Sequence, residues 1–199
     1  MVATRKRGEE LEAAILEAAY EILSTAGYEQ MTFQNVAKQA KTSRTVIYGR
    51  YRDKIDLLHA LVQYRFTQAH GGSLIDLVRE KGSFRADLLA VLELYQQFLD
   101  TVGPKLMSVI LLELSRDNEP FRRLSLRARE SNMEMMRKLL EFAERRGETR
   151  YELTELQMSL PFDLLRFENM MRGGKLGKED LNRLIDEVLM PIYVQTKER

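Results

Sequence analysis

An all-α fold is predicted for this 199-residue chain by three features of its sequence. No segment alternates polar and apolar residues with the period of two that a half-buried strand requires. Apolar residues instead recur at three- and four-residue spacings, and glycine, proline and capping residues separate the periodic segments. We therefore expect a small N-terminal domain of three helices, residues 1–53, and a larger helical domain, residues 54–199.

The composition limits the classes of protein to which the chain can belong. Apolar residues make up 44% of it and cysteine is absent, so a sizeable core is expected without disulfides, as in a cytoplasmic protein. The densest apolar run, 106–112, is far shorter than the roughly 18 residues that span a bilayer. The basic start is not followed by the apolar segment of a secretory signal. We expect a cytoplasmic protein without a membrane partner.

Four helices are predicted in the first third of the chain. They cover residues 11–26, Thr32–Ala40, Arg44–Tyr51 and 53–69. Gly27 is placed to end the first helix, and the hydroxyls of Thr32 and Ser43 can cap the next two. Asp53, with Asp56 three residues later, resembles a capping box for the fourth helix. A basic run at 5–7 precedes them and is either a solvated arm or an arm that lies along DNA.

Six more helices are predicted after the His70-Gly71-Gly72 break. They cover Leu74–Glu80, Phe84–Val102, Lys105–Arg116, Glu119–Arg146, Thr154–Arg172 and Lys178–Thr196. Glycine or proline marks most of the boundaries between them, and Gly103-Pro104 is one such boundary. Pro161 and Pro191 fall inside predicted helices, where we expect kinks.

Two of these helices, Glu119–Arg146 and Lys178–Thr196, have apolar faces too wide for packing on one side only. Either both are fully buried core helices, or a second subunit covers them in a four-helix interface across a two-fold axis. We predict the second arrangement, a homodimer. The residues predicted for its interface are Met133, Met136, Leu140, Leu181, Leu184, Ile185 and Val188.

Basic residues are concentrated in the segment Thr32–Lys54. Six of its residues are Lys or Arg and one is Asp, a local net charge of +5, whereas the whole chain sums to +1. Its two short helices flank a three-residue turn, Lys41-Thr42-Ser43, which is the pattern of a helix-turn-helix. This combination is typical of proteins that bind the phosphate backbone of double-stranded DNA.

The start of the second short helix supplies side chains suited to the major groove. Arg44 can bind guanine with two parallel hydrogen bonds, Thr45 can bind a base or a phosphate, and Val46 can contact a thymine methyl group. The other residues of the segment would mainly contact phosphates. The predicted DNA contacts are Thr32, Thr42, Ser43, Arg44, Thr45, Val46, Tyr48, Gly49, Arg50 and Lys54.

The span from about Glu9 to Ala60 resembles the N-terminal domain of the TetR (tetracycline-repressor) family of transcription regulators. The resemblance rests on Ile15-Leu16-x-Ala18-Ala19, Gly27, Thr32, Val36-Ala37, Ala40, Ser43, Ile47-Tyr48, Tyr51, Lys54 and Leu57-Leu58. Lys41 stands where glycine is common and Tyr51 where Phe is usual. Gly49 falls in the middle of the predicted recognition helix, where a larger side chain is typical.

The resemblance implies a repressor that a small-molecule ligand releases from a pseudo-palindromic operator. It also implies that the larger domain dimerises and encloses the ligand pocket. The predicted pocket residues are Tyr95, Phe98, Met107, Leu111, Met136, Phe162, Arg166 and Phe167. Arg166 would pair with an anionic ligand or, as we favour, with a carboxylate of the protein. The many methionines of this domain either fill its core or line an adaptable surface.

No residue pattern indicates catalysis or a cofactor. His59 and His70 lack the carboxylate pattern of a metal site, and packed or solvated histidines are the simpler interpretation. We therefore expect a protein that is not an enzyme and has no cofactor or metal. The alternative function is a helical dimer that binds a small molecule or protein but no longer binds DNA specifically, and Gly49 is the feature that favours it.

Overall fold

The computed structural model describes residues 2–148, 152–171 and 176–194, and among them the side chains of residues 8–148, 152–171 and 176–193. These residues form helices and no strand, which confirms the all-α prediction. The α-helices are α1 (Val2–Ala26), α2 (Phe33–Gln39), α3 (Arg44–Tyr48), α4 (Lys54–His70), α5 (Leu74–Leu77), α6 (Phe84–Ser115), α7 (Glu119–Arg145), α8 (Glu155–Met171), α9 (Lys178–Leu184) and α10 (Met190–Val194).

Some of the sequence-based expectations lie outside the described residues. They are the side chains of the basic run at 5–7, together with the C-terminal ends of the helices predicted to finish at Arg172 and Thr196. The backbone of residues 5–7 continues α1, which begins at Val2.

The chain divides into two compact units, Met1–Gly71 and Gly72–Arg199. We expected a boundary after Asp53, at the end of the predicted three-helix N-terminal domain. The compact division lies later in the chain because α4 packs against α1 within the first unit. Gly71 ends α4 in the left-handed conformation, with φ of 79°, and its N–H donates to the carbonyl of Thr67.

In the first unit, α1 packs against α2, α4 and a short 3₁₀ turn at Tyr28–Gln30, and α2 packs against α3. The core consists of one buried stripe from each helix, because residues three and four apart share a helix face. Its fully buried members include Ile15, Ala19, Val36, Ile47 and Leu57. These contacts orient the two short helices, which are too short to be stable alone.

The predicted helix caps in this unit are confirmed. The Thr32 hydroxyl accepts from the N–H of Asn35, and the Ser43 hydroxyl accepts from that of Val46. The Asp53 carboxylate accepts from two N–H groups of the first turn of α4. Asp56, the other residue of the predicted capping box, accepts from the N–H of Arg52, one residue before Asp53.

In the second unit, α6, α7 and α8 pack pairwise, and α9 packs against α6. Gly103 interrupts α6 with φ of 71° and ψ of 160°, and Pro104 follows it without a backbone donor. The break lies at the predicted boundary between two helices. Near the end of the described chain, a π-helical turn at Ile185–Leu189 precedes Pro191, which cannot donate to a carbonyl one turn back.

An ionic network joins the start of α6 to the end of α7. Arg146 contacts Asp87 at 2.7 Å, Glu80 at 2.6 Å and Glu148. The Asp87 side chain is fully buried and also accepts from the backbone N–H of Lys81. The network therefore compensates a buried carboxylate and links three segments of the second unit.

None of the helices in the described part of the chain has an apolar stretch of membrane-spanning length.

Candidate nucleic-acid interface

The turn between α2 and α3 depends on a residue in an unfavourable backbone conformation. Lys41 has φ of 52°, in the left-handed region that costs a residue with a Cβ atom about 1 kcal/mol or more. This backbone conformation lets the N–H of Thr42 donate to the Ala37 carbonyl at 2.9 Å, and this hydrogen bond ends α2. This left-handed conformation explains why glycine is common at the position of Lys41 in the resemblance described above.

Helix α3 presents one buried side chain and several exposed ones. Ile47 is fully buried and fixes the helix against the core. Arg44, Thr45 and Tyr48 lie on the exposed side, as does Ser43 just before the helix, and Val46 is half-buried. The hydrogen-bonding groups predicted for the major groove are therefore available on one short helix.

An aromatic contact orders this exposed face. The ring of Tyr48 packs edge-on against buried Phe33 of α2, with 4.8 Å between the centroids. The guanidinium of Arg44 lies 5.9 Å from the centroid of the Tyr48 ring. Because the ring is held by Phe33, it restricts the directions available to Arg44 before any partner binds.

Gly49 does not lie within the recognition helix, and the sequence-based placement was wrong. Helix α3 ends at Tyr48, and Gly49 is its C-cap with φ of −73°, a value open to any residue. A Cβ atom built there would meet only the carbonyls of Thr45 and Val46, at 3.4 and 3.6 Å. Gly49 therefore neither softens the helix interior nor argues for a lost DNA function.

The remaining predicted contacts surround α3. Thr32 and Arg50 are exposed and Thr42 is half-buried. Lys54 begins α4, and its Nζ atom lies 3.6 Å from the centroid of the Tyr28 ring and 3.4 Å from the Glu29 carbonyl oxygen. The 3₁₀ turn therefore holds this ammonium group beside the N-terminus of α4.

Tyr51 lies behind the exposed face, in the core of the first unit. Its hydroxyl is buried and has no hydrogen-bond partner among the described residues. Burial, together with the nearby carboxylate of Glu12, raises the pKa of Tyr51 to about 12. The extra oxygen relative to Phe is thus buried, with the Glu12 carboxylate beside it.

The residues predicted for a ligand pocket do not all face one interior space. Tyr95, Met136 and Phe162 are buried, and the rings of Tyr95 and Phe162 make an edge contact at 4.9 Å. Phe98, Met107 and Arg166 are half-buried. Leu111 and Phe167 are exposed, so the prediction that they face an interior pocket is not supported by their positions.

A surface groove of about 210 Å³ lies elsewhere in the second unit. It runs between the segment after α5 and the outer face of α6, and Leu77, Val91 and Leu94 are among its lining residues. It contains none of the eight predicted pocket residues. The sequence offers no motif that would have indicated it.

Four of the residues predicted for a dimer interface are buried within their own chain. They are Met133, Met136, Leu181 and Ile185. Helix α7 packs on α6 and α8, and α9 packs on α6, so these four side chains are covered within the chain. Leu140 and Leu184 are half-buried, and Val188 is exposed.

A different apolar surface remains open on α8. Leu156, Phe167 and Met171 are 74%, 54% and 67% exposed, and they lie on one side of the helix with half-buried Leu160 and Leu164. Their spacing of three and four residues was visible in the sequence. The sequence analysis did not identify this exposed surface, because the opposite face of α8 is also apolar.

Comparison with known proteins agrees with this arrangement of a helix-turn-helix and a helical second unit. Residues 15–61 match the model of "Bacterial regulatory proteins, tetR family", and residues 78–188 match "Tetracyclin repressor-like, C-terminal domain". Over 184 residues the chain is 26% identical to a DNA-binding transcriptional repressor TetR of Mycobacteroides abscessus, covering 92% of this chain and 94% of that protein.

Two solved structures have a similar fold. The transcriptional regulator FadR from Bacillus subtilis, in complex with stearoyl-CoA, is 24% identical with a TM-score of 0.60, covering 91% of this chain and 97% of that one. A TetR-family regulator from Mesorhizobium loti is 18% identical with a TM-score of 0.62, covering 95% and 98%.

The fold and the basic helix-turn-helix segment define a DNA-binding transcription regulator. The two family models together cover most of the chain, and the chain belongs to the TetR family.

Proposed function

We propose that this protein is a homodimeric repressor that binds a pseudo-palindromic operator and leaves it when a small molecule binds the second unit. The exposed face of α3, with Arg44 ordered over Tyr48, is the observation that carries the proposal. The resemblance to a TetR repressor favours repression over activation. Its site of action is then the cytoplasm, where it meets DNA.

In this proposal the base contacts come from the start of α3 and the phosphate contacts from its surroundings. Arg44 binds a guanine, Thr45 a base or phosphate, and Val46 a thymine methyl group. The hydroxyls of Thr32, Thr42, Ser43 and Tyr48 bind phosphates, as do the cations Arg50 and Lys54, while Gly49 lets the backbone approach the DNA. The operator half-sites would lie one helical turn apart, about 34–36 Å, because two copies of α3 enter successive major grooves.

We assign the dimer interface to the exposed face of α8, and we retain Val188 from the predicted set because it is exposed. Leu156, Phe167 and Met171 form a contiguous apolar surface, and such surfaces on soluble proteins usually mark an interaction site. A two-fold axis would let this surface pack on its own copy. Leu140 and Leu184 also remain candidates from the predicted set, since both are half-buried.

Ligand control follows from linkage between the two binding equilibria. A ligand releases DNA only if it binds the DNA-free protein more tightly than the complex, and DNA then weakens ligand binding by the same factor. A ligand with equal affinity for both forms would contradict this part of the proposal. We also propose that the protein has no catalytic activity, because its family consists of transcription regulators.

The decisive experiment is a mobility shift with genomic fragments, followed by footprinting of any retarded fragment. We expect a footprint over two inverted half-sites, with affinity that falls steeply with salt. The control is competition with unrelated DNA. Retardation that unrelated DNA removes equally well would favour the alternative, a helical dimer that does not bind DNA specifically.

A further inference from the structure

The 3₁₀ turn at Tyr28–Gln30 is held firmly within the first unit, although it has only three residues. It packs against α1, and Met31, which follows it, is fully buried. The N–H of Met31 donates to the Tyr28 carbonyl at 3.0 Å, and the N–H of Thr32 donates to the Gln30 carbonyl at 2.8 Å. The turn is therefore a fixed point from which neighbouring side chains can be oriented.

Side chains from two other helices bind the carbonyls of this turn. The Asn35 amide of α2 donates to the Gln30 carbonyl at 2.8 Å. The Lys54 ammonium group of α4 donates to the Glu29 carbonyl at 3.4 Å. Thr32, which caps α2, and Lys54, which begins α4, are both proposed phosphate contacts. The turn therefore connects two points at which the first unit is expected to meet the DNA backbone.

The Tyr28 ring makes a further contact with Lys54. Its centroid lies 3.6 Å from the Nζ atom, well inside the roughly 6 Å within which a ring face attracts a cation. Lysine has a long flexible stem, and a solvated lysine loses much side-chain entropy when a partner fixes it. The ring and the Glu29 carbonyl are both uncharged, so these two contacts place the ammonium group without neutralising its charge. The ammonium group is thus positioned for an anionic partner.

Another ring–cation pair in the same unit has a different environment. The guanidinium of Arg65, on α4, lies 4.0 Å from the centroid of the Tyr20 ring of α1. The Glu17 carboxylate lies 3.9 Å from the same guanidinium. Arg65 is about 16 Å further along the axis of α4 than Lys54. This pair therefore fastens α1 to α4 away from the proposed DNA contacts, and it provides a matched control for Tyr28.

We propose that Tyr28 is a positioning residue for DNA binding, whose ring holds the Lys54 ammonium group where a phosphate of the DNA backbone reaches the start of α4. The ring orders Lys54 before DNA arrives, so that less side-chain entropy is lost on binding. The inference rests on the phosphate contact proposed for Lys54, and it adds the residue that sets the geometry of that contact.

A double-mutant cycle between Tyr28 and Lys54 tests the assignment. Tyr28→Leu removes the ring but keeps an apolar side chain, and Lys54→Ala removes the charge. Mobility shifts at one fixed salt concentration measure the affinity of the full-length protein for genomic fragments and for a random-sequence duplex.

Tyr28→Leu should weaken binding to both kinds of DNA by about two- to fivefold, the range of an exposed cation–π contact. In the Lys54→Ala background the same substitution should cause no further loss, because the group that the ring positions is gone. A ring that only stabilises the fold would cause an equal loss in both backgrounds, and that result would overturn the proposal.

Two further variants show whether the ring face is responsible. Tyr28→Phe keeps the ring face and should bind DNA as tightly as wild type. Tyr20→Leu removes the ring beside Arg65 and should leave DNA affinity unchanged. A loss in Tyr28→Phe as large as that in Tyr28→Leu, or an equal loss in Tyr20→Leu, would contradict the assignment.

If Tyr28→Leu does not fold, the NMR signals of the Lys54 ε-methylene protons carry the test. The ring current of residue 28 should shift these signals upfield in wild type and in Tyr28→Phe, both free and bound to the random-sequence duplex. Unshifted signals in the DNA complex would contradict the proposal.

The same measurements separate this inference from the proposed function. If Lys54→Ala weakens binding and Tyr28→Leu does not, the phosphate contact stands and the role of Tyr28 fails. If wild type binds every genomic fragment no better than the random-sequence duplex but the cycle shows the expected coupling, the role of Tyr28 stands and the proposed repressor fails. Unchanged affinity in Lys54→Ala overturns both the phosphate contact and the role that rests on it.

Discussion

At the scale of single residues, Arg44 and Lys54 are held in place by different aromatic rings. Arg44 lies over Tyr48 at the start of α3, whereas Lys54 lies over Tyr28 at the start of α4. Arg44 is placed to contact a base edge, and Lys54 is placed to contact a phosphate. Substituting each residue should therefore have a distinct effect on DNA binding.

We predict that Arg44→Ala weakens binding by about 1–3 kcal/mol and relaxes preference at one base pair of each half-site. Lys54→Ala should weaken binding to all sequences alike and reduce the slope of log K against log salt by about one per subunit. Both effects are measured by mobility shift over a salt series. Lys105→Ala, an exposed lysine of α6, serves as the control. Identical salt slopes for wild type and Lys54→Ala would contradict the phosphate role.

Tyr51 carries a second prediction at this scale. Its buried hydroxyl makes no well-formed hydrogen bond with a described residue, although the Glu12 carboxylate is near. Tyr51→Phe should therefore raise the free energy of unfolding by about 1 kcal/mol. DNA affinity should stay the same, because the ring points into the core. Urea unfolding measures the change, and Tyr20→Phe on the exposed side of α1 is the control. A loss of stability would show that the hydroxyl is in fact paired.

At the scale of elements, the Arg146 network fastens α7 to the start of α6. Arg146→Ala leaves the buried Asp87 carboxylate without its cation. Breaking such a pair is strongly destabilising, and we expect the melting temperature to fall by roughly 5–10 °C. Arg145→Ala is the neighbouring control, since Arg145 is mostly exposed and reaches Glu80 only at 3.4 Å. Equal melting temperatures for the two variants would contradict the role given to Arg146.

The same network makes a prediction about pH. The hydrogen bond from Arg146 holds the pKa of Glu80 below its ordinary value of 4.5. A carboxyl with a lowered pKa adds stability above that ordinary value and loses it as pH falls through the lowered one. The stability difference between wild type and Arg146→Ala should therefore narrow below pH 4.5. Thermal melts from pH 7 to pH 3 provide the measurement.

Most helix boundaries were predictable because local chemistry sets them. Thr32, Ser43 and Asp53 cap their helices as expected, since each side-chain oxygen acts on N–H groups two or three residues away. The end of α3 was not predictable in the same way. No capping side chain or proline marks it in the sequence, and Gly49 was therefore placed inside the helix rather than at its C-cap.

At the scale of the whole molecule, the proposed dimer depends on the apolar face of α8. Phe167→Asp places a charge in the middle of that face, and we expect it to convert the dimer to a monomer at micromolar concentration. Analytical ultracentrifugation gives the mass directly. Leu126→Asp is the matched control, because Leu126 is equally apolar and exposed but lies on α7. A wild-type monomer, or a dimer that survives Phe167→Asp, would contradict the assignment.

The sequence by itself determined the helical class, most helix ends, the basic helix-turn-helix and the residues that surround it. All of these arise from periodicity, capping and charge, which act within a few residues. Only the tertiary structure decided which apolar helix faces are buried within one chain. Helix α7 packs on α6 and α8, and α9 packs on α6, whereas one face of α8 remains open. Periodicity indicates that a face is apolar, but what covers it depends on elements distant in the sequence.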